Sequence, residues 1–449
     1  EHVSLREQVG KLYGIDLRSR SDAQVAEDVF NVEVSAMNRE RCQKTTVAPG
    51  TIYHYRVPSF MEFQTDLLNW AFNMIRFTPF VVAFHGSFDK PKALDRLQFE
   101  INGTTYKMGN GGLHSCEHQV AHVTDDEFEL HDFDVTSYYP RVIINQKLFP
   151  KHLGPNFLIA FNRKVEERIV AKRAKDMVKA NGFKIVVNGG FGKLGNKHSI
   201  MYSPDLLLQV TLTGQLSLLM LIEQLELSDI HVVSANTDGI VVKCRRSQHD
   251  QMIKIIEWWQ ERTGFELEET RYMGIYSRDV NSYIAVKQTF DDATKQWIRK
   301  PASCKTKGAY ANPWKDSKDK SMWMHKNPQR TICIDAIEKF LVDGTPVETT
   351  ILACRDLRKF LSVQNVTGGA VKVWNEDDIQ YLGKTVRWYY AVGVTEPLIY
   401  AKTGKKVPRS DGAQPCMELP DQFPQDLNFD WYIAEANQIL HDIGYYSES

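Results

Sequence analysis

An α+β fold is predicted, on three observations. Runs rich in β-branched and aromatic residues meet at Asn-Gly and Asp-Gly turns, as in LQFEINGTTYKM (97–108) and SANTDGIVVK (234–243). Such runs read as antiparallel hairpins. Long helical patterns stand apart from them, as in MEFQTDLLNWAFNMIRFTPF (61–80) and DLLLQVTLTGQLSLLMLIEQLE (205–226). The composition, 43% hydrophobic and 25% charged over 449 residues, is that of an ordinary globular protein.

The elements follow in order. Residues 1–50 mix helical patterns with polar loops, and Ser21 and Asp22 make a helix start. The helix within 61–80 ends before Pro79, because the residue before a proline avoids the helical region. After the first hairpin comes a glycine cluster, GNGG (109–112), and ELHDFDV (129–135) reads as a strand that stops at a turn-forming TSYYP. From Phe161 to Ala180 the chain reads as a charged helix. It holds seven basic residues (Arg163, Lys164, Arg168, Lys172, Arg173, Lys175, Lys179) against three acids. A second glycine-rich segment, KIVVNGGFGKLGNKHS, begins at Lys184, and residues 205–226 form the most apolar helix, expected to be buried. The hairpin carrying Asp238 leads into the helix QHDQMIKIIEWWQERTG, whose Trp258–Trp259 pair reads as packing. From about residue 300 the elements shorten, as in an appended domain, and Lys315–Lys326 reads as a lysine-rich loop.

Several classes are disfavoured. The longest uninterrupted apolar run, around FTPFVVAF, holds a proline and falls short of the roughly 20 residues of a membrane span. No membrane partner is therefore expected. No signal peptide opens the chain, and its start at Glu1 leads us to expect a fragment or a processed product. Seven scattered cysteines without a CxxC pair favour reduced thiols in a cytoplasmic setting. His114, Cys116 and His118 in HSCEH have no distant Cys/His pair to complete a zinc site. A net charge of −1 confines any nucleic-acid footprint to a local patch.

Two acids stand at strand ends, Asp134 in DFDVTSYYP and Asp238 in ANTDGIVV, with the basic helix and a glycine-rich segment between them in sequence. Asp132 shares a strand face with Asp134. This is a kit for phosphoryl transfer from a nucleoside triphosphate. Two carboxylates can hold a pair of Mg²⁺ ions about 3.5–4 Å apart, and cationic side chains neutralise the triphosphate. Arg168 and Lys172, at i and i+4, share a helix face.

DVTSYYP (134–140) resembles the DxxSLYP element of family B DNA polymerases, KIVVNGGFG (184–192) resembles their KxxxNSxYG element, and NTDG (236–239) stands where their DTD element would be. The order is right. GGLHS (111–115), KLGN (193–196) and FDWYIAEANQIL (429–440) are most similar to bacteriophage members. The resemblance covers residues from roughly 100 to the end.

It implies a right-hand polymerase fold with an antiparallel-sheet palm, helical fingers and a thumb. The expected divisions are an N-terminal lead-in (1–96), palm (97–160 and 193–300), fingers (161–192) and thumb (301–449). It also implies a DNA-templated DNA polymerase, replicating a phage genome in the host cytoplasm. Such an enzyme transfers dNMP to a primer 3′-hydroxyl with two Mg²⁺ ions, for which Mn²⁺ substitutes. Asp134 and Asp238 match the metal-binding acids, joined by the carbonyl of Val135. The backbone N–H groups of Thr136, Ser137, Tyr138 and Tyr139 would cradle the triphosphate, and Tyr139 matches the ring that rejects a 2′-hydroxyl. Lys184 and Asn188 match the nucleotide-facing fingers residues, and Arg168 and Lys172 would grip the β and γ phosphates. Gly111 and Gly112 would let the template backbone approach. Asn236 and Thr237 would border the primer terminus, and Tyr283 and Lys307 would touch the duplex backbone.

The chain departs from the pattern at four places. Asn236 replaces an acid, Gly189 a serine, Phe191 a tyrosine, and Asn281 the primer-contacting lysine. The first 130 residues carry no convincing DxE strand of a proofreading exonuclease, so a polymerase part alone is expected. Replisome proteins or a separate exonuclease would be partners beside primer–template DNA and dNTPs. The short gaps after Pro140 and Gly192 disfavour terminal-protein priming. Two other readings remain: a catalytically weak or inactive primer–template binding module, and another palm-fold nucleotidyltransferase such as a cyclase.

Overall fold

The structure, a computed structural model, describes residues 2–89, 91–95, 97–109, 111–312, 329–375 and 378–446. The lysine-rich loop expected at 315–326 lies outside these residues. The chain forms two compact units, one of residues 1–117 and 125–270, the other of residues 118–124 and 271–449.

The first unit opens with helices α1 (His2–Tyr13) and α2 (Asp22–Asn38), the small pair β1 (Ile52–Tyr53) and β2 (Phe80–Val81), and helices α3 (Asp66–Phe77) and α4 (Lys92–Asp95). Its sheet is built from β3 (Gln98–Ile101), β4 (Thr104–Met108), β5 (Leu113–Ser115), β7 (Phe128–Val135), β8 (His231–Asn236) and β9 (Gly239–Arg245). They run in the order β7-β9-β8-β5-β4-β3, antiparallel throughout. Helices α5 (Tyr138–Asn145), α6 (Asn156–Arg173), α7 (Met177–Lys193), α8 (Pro204–Leu227) and α9 (His249–Thr263) complete it.

The second unit holds a sheet ordered β12-β11-β10-β6, made of β6 (His118–Val123), β10 (Leu267–Asp279, entering this unit at Arg271), β11 (Ser282–Asp291) and β12 (Gln296–Thr306). A second sheet, ordered β15-β13-β14-β16, comprises β13 (Ser362–Asn375), β14 (Asp378–Tyr390), β15 (Leu398–Tyr400) and β16 (Ala413–Pro415). Helices α10 (Thr331–Asp343), α11 (Val347–Ala353) and α12 (Phe429–Asp442) pack with it around Trp388, Tyr390 and Tyr432. This unit starts at Arg271, ahead of the change of texture near residue 300, because β10, β11 and β12 pair with one another.

Local chemistry explains much of the first unit. Asn102 (φ 45°) and Gly103 (φ 84°) turn the first hairpin, as an Asn-Gly pair favours. Ser21 caps α2 in a reciprocal box with Gln24, which satisfies two otherwise orphaned backbone donors. The TSYYP segment, expected as a turn, instead starts helix α5 at Tyr138; Pro140 falls in the first turn, where no N–H is missed.

The charged helix expected over 161–180 is two helices. It begins earlier, at Asn156, and ends where Lys175 turns left-handed (φ 56°). Asp176 then caps α7 by accepting from the Lys179 N–H at 3.1 Å. Lys164, one of the seven basic residues, is buried and paired with Glu33 (2.6 Å) and Glu167 (2.7 Å).

Glycines 182, 189, 190 and 192 lie inside α7; α1 presses on Gly182, α2 on Gly189, and α2 and α6 on Gly190. A Cβ at Gly189 would stand 2.7 Å from Ala26 Cβ, and one at Gly190 would stand 2.8 Å from the Phe30 ring. Gly189→Ser, which restores the residue of the family pattern, is therefore expected to destabilise the chain by about 1–3 kcal/mol through overpacking. A denaturant titration against the native sequence checks this.

Helix α8 is long and apolar enough to cross a membrane by length and composition, yet 89% of its most apolar stretch is buried within the protein. Its polar residues are matched: Tyr55 Oη and Thr213 Oγ1 are 3.0 Å apart, and Trp259 Nε1 donates to the Ser217 carbonyl at 2.8 Å. It serves as the central core helix under the sheet.

Candidate active site

Asp134 is the penultimate residue of β7, and Asp238 sits in the turn from β8 to β9. The register sets Asp134 opposite Gly239, and the Val135 N–H donates to the Asp238 carbonyl at 2.7 Å. Two acids about a hundred residues apart in sequence thus stand at adjoining strand ends. Both are exposed, whereas Asp132 is buried. A Cβ on Gly239 would lie 2.4 Å from Asp134 Oδ1, so the missing side chain is what lets the Asp134 carboxylate lie over the turn.

The turn is tightly held. Thr237 is left-handed (φ 54°), a costly conformation for a β-branched residue. Its N–H donates to the Leu113 carbonyl at 2.8 Å. A Cβ on Gly112 would fall 2.5 Å from Thr237 Oγ1; Gly112 is therefore needed for the approach of Thr237. Asn236 is half-buried and pairs in register with Gly239 and His114.

The loop after Asp134 gathers the other expected residues. The Thr136 N–H already donates to the Glu266 carbonyl at 2.8 Å, so the expected phosphate cradle loses that member in this arrangement. Ser137 is left-handed (φ 53°), and its Oγ accepts from Arg168 Nη1 at 2.8 Å. Burial lowers the pKa of the Arg168 guanidinium, against the opposing charge of Glu268. Lys172 Nζ pairs with both oxygens of Glu268, at 2.7 and 3.0 Å.

Tyr138 is buried and donates to the Gly214 carbonyl at 2.5 Å. The Tyr139 hydroxyl donates to the Gly111 carbonyl. The Tyr139 ring meets Phe191 at 4.6 Å between centroids, and a Cβ at Gly214 would stand 2.8 Å from Tyr139 Cε1. Burial, and then the charge of Asp238, push the Tyr139 phenol upward, which places that carboxylate nearby. Lys184 and Asn188 are exposed on the row of α7 that leads to Phe191.

Tyr283 and Lys307 belong to the second unit, where the Lys307 N–H donates to the Tyr283 carbonyl at 3.0 Å. Gly308 follows at φ 60°, with room for a Cβ denied by the Asn281 carbonyl at 2.1 Å. The opposite face of β7 carries a group the sequence reading missed, Glu129 and His131 with His249 of α9. The Glu-x-His alternation within ELHDF was its only local signal, and its third member lies on a distant helix.

No protein-family model matches the sequence, and no curated protein does. Among solved structures, the chain is similar to the family B DNA polymerase from the hyperthermophilic archaeon Pyrobaculum calidifontis. The TM-score is 0.47 at 12% identity, covering 99% of this chain and 54% of that one. The chain spans about half the length of that polymerase.

Proposed function

We propose that this chain is the polymerase part of a phage-type, family B-like DNA-templated DNA polymerase, which adds dNMP to a primer 3′-hydroxyl and releases pyrophosphate. The observation that carries the reading is the register that sets Asp134 beside the Asp238 turn, with Gly239 leaving space for the Asp134 carboxylate. Exposed carboxylates next to the Val135 carbonyl are a hard, oxygen-only donor set, which fits Mg²⁺. When bound, two such ions supply positive charge at the attacking and leaving oxygens.

The chain's own residues do the rest. Arg168, held by Ser137, faces the phosphates from α6. Lys172 joins it once its exposed pair with Glu268 opens, which costs about 1 kcal/mol or less. Lys184 and Asn188 present the incoming nucleotide. The Tyr139 ring, wedged between Phe191 and Gly214, forms the floor under the sugar. Asn236 offers an amide at the primer terminus without adding a third charge. Tyr283 and Lys307 hold the duplex backbone.

Primer extension with Mg²⁺ and defined templates tests the reading: template-directed, pyrophosphate-releasing incorporation is expected. Salt-sensitive DNA binding without incorporation under any metal would establish the binding-module reading, which Asn236 and Asn281 favour. Template-independent product would establish the cyclase-like one. Tyr139→Ala is expected to raise ribonucleotide use relative to deoxyribonucleotides by a factor on the order of 10–100, the range a single pocket contact commands. Paired kcat/KM values for rNTP and dNTP check it.

A further inference from the structure

The group on the reverse face of β7 has a donor set unlike that of the two aspartates. His131 is fully buried. Its Nδ1 lies 2.7 Å from Glu269 Oε1, and a ring that donates there through Nδ1–H alone turns the Nε2 lone pair to the other side. Nε2 is buried and has no hydrogen-bond partner among the described residues. The atom it faces, Glu129 Oε1, is 3.0 Å away but off the direction in which a ring N–H donates.

That same oxygen lies 2.6 Å from Nδ1 of His249, the first residue of α9. The other oxygen, Glu129 Oε2, meets Arg246 Nη1 at 3.2 Å. Arg246 is held in turn by the carbonyls of Asp125 and Phe128.

A bare imidazole lone pair facing a carboxylate in a dry site is repulsive, and a cation between them removes the conflict. Tetrahedral bonds of about 2.0–2.1 Å put neighbouring ligand atoms roughly 3.3 Å apart, each off the other's lone-pair axis. The His131–Glu129 separation of 3.0 Å is close to that spacing. The His249–Glu129 contact would widen by about 0.7 Å. Two imidazoles and one carboxylate suit a borderline divalent ion such as zinc and not Mg²⁺, which takes oxygen ligands. A carboxylate behind a ligating histidine, as Glu269 stands behind His131, is the usual orienting partner.

We propose that Glu129, His131 and His249 bind a zinc ion whose fourth position is filled by water, with Glu269 orienting His131. The ion ties β7, the strand that also carries Asp134, to the start of α9. The inference is independent of the polymerase reading, since it concerns the face of β7 opposite Asp134.

The test is metal content. The full chain is loaded with Zn²⁺ in the presence of excess Mg²⁺ and dialysed, and bound zinc is measured by mass spectrometry. Co²⁺ loading is followed by its visible absorption. One zinc per chain is expected for the native sequence and for Asp134→Asn, with loss of both signals in His249→Gln and His131→Gln. Glu269→Gln should weaken affinity by about 10–100-fold. His249 is partly exposed, so His249→Gln remains informative if His131→Gln fails to fold; circular dichroism checks each variant. A native chain that retains no zinc, or a folded His249→Gln that retains as much as the native chain, overturns the proposal.

Discussion

Asp134→Asn and Asp238→Asn are each expected to lower template-directed incorporation by about a thousandfold or more, with the chain still folded. Both side chains are exposed, so neither supports the core, and an amide keeps the shape while removing the charge. A thousandfold loss corresponds to about 4 kcal/mol of transition-state stabilisation, in line with the several kcal/mol that metal-held charge contributes. The measurement is single-turnover extension of a labelled primer, with a thermal melt alongside. Full activity in either variant would sink the polymerase reading. Asp132→Asn serves as the contrast: Asp132 is buried two residues earlier on the same face, and its replacement should act on stability.

Gly239→Ala is expected to lower incorporation by about a hundredfold, the scale of a misplaced catalytic group. The added methyl would meet Asp134 Oδ1 at 2.4 Å and the Phe133 carbonyl at 3.0 Å. The backbone there is ordinary, since Gly239 is not among the positive-φ glycines. The flexible carboxylate therefore yields, and it turns away from the Asp238 turn. Stability should change by less than about 1.5 kcal/mol. Loss of activity with an unchanged melting midpoint separates this displacement from unfolding; unchanged activity would show that the position of Asp134 over the turn is not needed.

Much of the site could be read before any coordinates. The Asn-Gly turn, the Ser21 cap and the stop before Pro79 are encoded within a few residues, and the structure forms each of them; the second hairpin forms too, but it turns at Thr237 and Asp238, one residue ahead of its Asp-Gly pair, with Gly239 already in β9. The order of the two acids and the glycine-rich segment is likewise a property of the chain alone. Its limits appear wherever a distant element intervenes. TSYYP carries turn residues, yet it enters a helix because Tyr138 and Tyr139 pack against Gly214 of α8. The basic run looks like one solvated face, yet Glu33 of α2 draws Lys164 into the interior, and Glu268 takes Lys172.

By itself, then, the sequence determined the hairpins, the helix caps and the two acids at strand ends, because turn and cap preferences act over a few residues. Only the tertiary structure decided what stands beside those acids. The β7–β9 register sets Asp134 against Gly239, and the packing of α2 forbids a side chain at Gly189. The meeting of Glu129 and His131 with His249 was decided there too. Each of these joins residues far apart in the chain, and the joining comes from burial and strand pairing, which no local pattern records.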